Sequence, residues 1–80
     1  MKTYKLAINN DRGDGMNNLF FLYVMTVCDN DKCNIIGFDQ QESCMILTFE
    51  KSRAFKRAMK RIEKNYSNLI RVNKEIWIYV

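Results

Sequence analysis

The sequence has no histidine and no proline, only three glycines and three cysteines, and no apolar run of 18 residues or more. Without histidine the commonest general base and metal ligand is missing. No nucleophile elbow of the G-x-S-x-G type and no glycine-rich phosphate loop occurs either. The chain therefore reads as non-enzymatic, with no catalytic residues and no cofactor. The segment DRGDG could bring Asp11 and Asp14 together around Mg²⁺, but aspartates in a glycine loop commonly act as turn formers. No metal site is assigned to them.

The missing proline leaves no obvious domain boundary, and no internal repeat or low-complexity tract is present. Residues 1–80 are read as a single small domain, of a size at which a lone hydrophobic core is marginal without support such as oligomerisation. Apolar residues make up 48% of the chain and ten residues are aromatic, which argues for a packed chain over a disordered one. The start, MKTYKLAINND, turns polar too early for a secretory signal. No apolar run is long enough to span a bilayer, so no membrane association is expected.

Cys28, Cys33 and Cys44 are odd in number and lack the regular spacing of a secreted disulfide framework. A reducing cytoplasm fits better, with these residues as small buried apolar side chains. Cys28 and Cys33 flank an expected hairpin turn, where a cross-strand bond is conceivable. Three cysteines cannot fill a tetrahedral zinc site without a carboxylate or a second chain.

Charge is present in excess of one sign, and unevenly. Residues 1–50 carry four Lys or Arg against seven Asp or Glu, a net of −3. Residues 51–80 carry nine against two, a net of +7. Such asymmetry within one small domain points to a side that faces a polyanion.

Periodicity supplies the expected elements. Lys2 to Asn9 alternates as a half-buried strand, and NNDRGDGMNN follows as a loop. LFFLYVMTV, residues 19–27, is almost wholly apolar and rich in aromatic and β-branched residues, which predicts a strand buried on both faces. DNDK is read as a turn, CNIIGFDQ as a third strand with Gly37 marking a bulge or close approach, and ESCMILTFE as a fourth. Ser52 is placed as the N-cap of a helix from Arg53 to about Asn65. LIRVNKEIWIYV completes the chain as one strand, or two joined at Asn73 and Lys74.

The fold class is therefore α+β: an antiparallel sheet of about five strands with one amphipathic helix packed on one face, in the order β-β-β-β-α-β. One helix covers one face only. With Trp77 and Tyr79 expected on the far side from Ile76, Ile78 and Val80, the second face is expected to be partly aromatic. A homodimer packed through the sheets would cover it; an exposed platform for bases, or closure towards a small barrel, are the alternatives.

On a helical wheel, Ala54, Phe55, Ala58, Met59, Ile62 and Tyr66 form a core-facing stripe. Arg53, Lys56, Arg57, Lys60, Arg61 and Lys64 fill the opposite arc, with Glu63 at its border. Their i,i+3 and i,i+4 relations create seven like-charge pairs, opposing helix formation by about 1.5–3 kcal/mol before screening. Solubility alone would be served as well by mixed signs.

These observations predict a small basic RNA- or nucleic-acid-binding protein, acting as a homodimer and contacting phosphates through this helix. Arg71 and Lys74 are expected to extend the patch, as is Lys51. RNA is favoured over sequence-specific DNA because no helix-turn-helix pattern precedes the helix. A protein-binding inhibitor or adaptor, docking on an acidic partner and possibly acting through RNA, is the alternative. Nine Asn, eight Lys and eight Ile match the usage of AT-rich bacterial or bacteriophage genomes, where small inhibitors of host or defence enzymes are common.

Overall fold

The computed structural model describes residues 2–9 and 16–80. The order is β1 (Thr3–Asn9), α1 (Met16–Asp31), β2 (Ile35–Gln40), β3 (Cys44–Glu50), α2 (Arg53–Asn65), β4 (Leu69–Arg71) and β5 (Ile76–Tyr79). The α+β class holds, with five strands and two helices instead of one.

The added helix is the main correction to the sequence reading. Residues 19–27, expected as a strand, lie inside α1. The buried residues of α1 among those described are Phe20, Val24, Val27 and Cys28, spaced i, i+4, i+7 and i+8, so the helix buries a helical stripe that runs through this segment. Topology explains why a helix forms despite local β propensity. β1 and β2 are both antiparallel to β3, hence parallel to each other, and a parallel return requires a crossover, usually helical. DNDK, expected as a hairpin turn, ends this helix instead. Lys32 adopts φ 59°, Cys33 N–H donates to the Cys28 carbonyl at 2.8 Å, and Lys32 N–H donates to that of Asp29 at 3.4 Å. This is the two-bond Schellman closure of a helix C-terminus.

The sheet runs β2-β3-β1-β5-β4. It is mixed, not antiparallel, because β5 inserts beside β1 in parallel, with Leu6 opposite Trp77 and Ile8 opposite Tyr79. The terminal segment does form two strands, paired as β4 with β5. A register shift between Ile35 and Gly37 supplies the expected bulge, and a Cβ on Gly37 would come within 3.2 Å of Thr48 Cβ.

Each helix joins two parallel strands that are not neighbours, the split βαβ arrangement. The two crossovers leave antiparallel strands and travel in opposite directions across the sheet. With a common handedness, both helices land on the same face. There they cover Tyr4, Leu6, Ile8, Leu47, Phe49, Trp77 and Tyr79, all buried. Phe20 stacks on Tyr79 at 3.7 Å between ring centroids and Phe55 on Tyr4 at 4.7 Å. Trp77 and Tyr79 thus belong to the core, and the expected aromatic second face is instead lined by Ile76, Ile78 and Val80.

Candidate nucleic-acid interface

α2 begins where the sequence places it. Ser52 has extended backbone, φ −156° and ψ 162°, and its hydroxyl accepts from Phe55 N–H at 3.1 Å. Phe55, Ala58, Met59 and Ile62 are buried. That stripe fixes the rotation of the helix, so Arg53, Lys56, Arg57, Lys60, Arg61 and Lys64 are all exposed.

The basic arc has two flanks. Towards α1, Arg61 Nη1 pairs with Asp31 Oδ1 at 3.3 Å, the one ion pair among the described residues. Asp31 is 13% exposed, and its other oxygen is buried without a hydrogen-bond partner among those residues. Asn65, one turn beyond Arg61, donates to the Tyr23 hydroxyl and ties the same flank to α1. The other five helix cations have no carboxylate within ion-pair distance among the described residues.

On the sheet side, Lys56, Lys60 and Arg71 line one notch with Met59, Glu63 and Trp77. Arg71 reaches it because it faces the helix side of β4, opposite Trp77. Its guanidinium lies over the Trp77 ring at 4.8 Å, and it donates from Nε to the Asn73 carbonyl and from Nη2 to that of Lys74, both at 3.1 Å. This arginine is held in place, with further N–H groups left to donate. A second hollow shares Lys56 and adds Tyr4, Lys51, Ser52 and Arg53, with Lys51 Nζ 5.6 Å from the Tyr4 ring centroid. Lys51, Arg53, Lys56, Lys60 and Arg71 thus line two hollows joined at Lys56.

Of the residues named from sequence, the six helix cations share one surface and Arg71 joins them. Lys74 enters through its backbone carbonyl, in the exposed turn before β5. Asp31 and Trp77 were missed. Asp31 sits in a segment read as a turn, and Trp77 was assigned to the opposite face.

No group of three or more His, Cys, Asp or Glu able to hold a metal occurs among the described residues, and Asp11 and Asp14 lie outside them. All three cysteines are free. Burial pushes the Cys28 thiol up to about 12, aided by neighbouring Cys33 and Asp31, so it stays protonated at neutral pH. Cys33 is also raised, chiefly by burial. Raised thiols are poor nucleophiles. No helix among the described residues is long and apolar enough to cross a membrane. Comparison with protein-family models, curated proteins and solved structures finds no match, so any functional reading rests on the residues themselves.

Proposed function

We propose that this chain is a small, non-enzymatic RNA- or nucleic-acid-binding protein that contacts phosphates through the outer face of α2 and Arg71, acting as a homodimer in the reducing cytoplasm. The observation that carries the reading is the arrangement of the helix cations. Five of six lack a carboxylate partner among the described residues, although their mutual repulsion opposes the helix. A polyanion would relieve that repulsion, and the counterions it releases would provide affinity without sequence recognition. The fixed arginine beside them supplies a forked donor suited to phosphate oxygens. α2 lies flat against the core and follows a strand, a placement that favours backbone contact over entry into a DNA major groove.

The test is a triple charge reversal, Arg57, Lys60 and Arg61 to Glu. Binding of a short single-stranded RNA, followed by fluorescence anisotropy, is expected to weaken by at least about a hundredfold while thermal unfolding stays cooperative. Retained affinity in a folded variant would refute the assignment. A second reading, an inhibitor or adaptor docking on an acidic protein, is favoured by the exposed Leu19, Leu22 and Met25 on α1. A partner complex that survives nuclease treatment would favour it.

A further inference from the structure

Among the described residues, no helix covers the sheet face turned away from α1 and α2. Its central row is apolar across four strands: Ile46 lies opposite Ala7, Ala7 opposite Ile78, and Ile78 opposite Ile70. Ile76 and Val80 flank Ile78 along β5 on the same side. Ile70 is 51% exposed and Val80 43%. On β1 and β3 the face turns polar on either side of this row, at Thr3, Lys5, Asn9, Thr48 and Glu50, whereas on the β5 and β4 side Ile70, Ile76, Ile78 and Val80 leave it apolar where a solvated sheet face normally alternates to polar residues.

We infer that this face is where a second copy of the chain docks, with Ile46, Ala7, Ile78 and Ile70 at the centre of a two-fold interface. The inference rests on the homodimer part of the proposed function and is independent of the nucleic-acid part.

Three observations select this occupant. First, the relief is self-complementary in kind. Ala7 is short between two isoleucines, a 260 Å³ hollow is lined by Ala7, Cys44, Ile78 and Val80, with Asn9 and Ser43, and the half-exposed Ile70 stands beyond Ile78 on the neighbouring strand. A two-fold interface needs a projection and a recess on one patch, because the same patch serves both subunits.

Second, the charge is wrong for the other candidates. Lys5 is the one cation on this face of the strands among the described residues, too few for a polyanion. The aromatic residues that anchor proteins at bilayer surfaces point the other way, into the core. Asp39 shares the face with Lys5, so two-fold symmetry can pair opposite signs twice. The basic surface of α2 lies on the opposite side of the sheet, so face-to-face docking keeps the two cationic helices apart and leaves both outward.

Third, the area is adequate. Five strands at a spacing of about 4.8 Å and strands about 17 Å long give a plane of roughly 400 Å² per subunit. With side-chain relief, the pair removes on the order of 1,000 Å² of accessible surface, the lower limit for specific interfaces. A dissociation constant in the micromolar range is expected, since no large area offsets the cost of association.

Sedimentation equilibrium from about 1 to 300 μM tests the assignment on the wild-type chain, Ile78→Lys, Ile70→Lys and Leu22→Lys. Wild type is expected to dimerise, Ile78→Lys to weaken dimerisation at least tenfold, and Leu22→Lys, which alters the exposed face of α1, to dimerise as wild type does. Should Ile78→Lys fail to fold, Ile70→Lys on the edge strand gives the same reading, because that side chain is already half exposed. A wild-type chain monomeric throughout, a dimer indifferent to the substitution of Ile70 and Ile78, or one lost through Leu22→Lys would overturn the inference. The charge-reversed α2 variant is expected to dimerise unchanged, so failure of nucleic-acid binding and failure of this interface are read separately.

Discussion

α1 and α2 lie side by side on one face of the sheet, sixteen and thirteen residues long, and among the described residues each buries four side chains in the same core. Their outer faces are opposites. α1 has no lysine or arginine from Met16 to Asp31 and exposes Leu22 at 60%, with Leu19 and Met25 beside it. α2 exposes six cations and, within its span, one acid. Core building constrains one stripe of a helix and leaves the rest free. On both helices the free part departs from the mixed-charge surface that solubility would favour. The comparison separates what holds the domain together, which the helices share, from what it presents to other molecules, which they do not.

The shared part can be broken most severely. Phe20→Ala and Phe55→Ala each empty a fully buried aromatic site stacked on a sheet residue and are expected to cost about 3–5 kcal/mol in urea unfolding. If Phe20→Ala cost less than about 1 kcal/mol, α1 would not be an equal partner in the core. The caps come next. Ser52→Ala removes the hydroxyl that accepts from Phe55 N–H and is expected to destabilise by about 1 kcal/mol. Lys32→Gly, at the left-handed position ending α1, is expected to stabilise by about 0.5–1 kcal/mol, because glycine adopts that conformation without the Cβ penalty. The smallest effect on stability sharpens the contrast most. Lys60→Glu makes the relations to Lys56, Arg57 and Lys64 attractive and the one to Glu63 repulsive, and is expected to leave the fold unchanged or more stable by up to about 1 kcal/mol, while weakening RNA affinity. A helix used only as structure would gain stability and lose nothing measurable.

The same contrast explains what could be read from the chain. α2 was legible to the residue because apolar and charged positions separate cleanly on a wheel and Ser52 marks the start. α1 was not. In LFFLYVMTV nearly every position is apolar, so the period of two and the period of 3.6 fit equally well, and aromatic and β-branched content tipped the reading to strand. What decides for helix is the parallel relation of β1 and β2, and no local pattern encodes it. Arg71 lines one notch with Lys56 and Lys60, whereas Trp77 was put on the wrong face. Alternation along β5 separates Trp77 and Tyr79 from Ile76 and Ile78, but which set meets the helices depends on the place of β5 beside β1.

That place also sets the timetable of assembly. Lys5 pairs with Ile76, so the middle of the sheet joins segments some seventy residues apart in the chain. During synthesis β1, α1, β2 and β3 can emerge and associate, yet the core stays open on one side until residues 76–79 leave the ribosome. Folding of this unit should be slow for its size, since β1 and β5 must meet before either gains from the contact. Until then the apolar faces of α1 and β1 are exposed to the cell, and early termination or a lesion in four residues would leave them so.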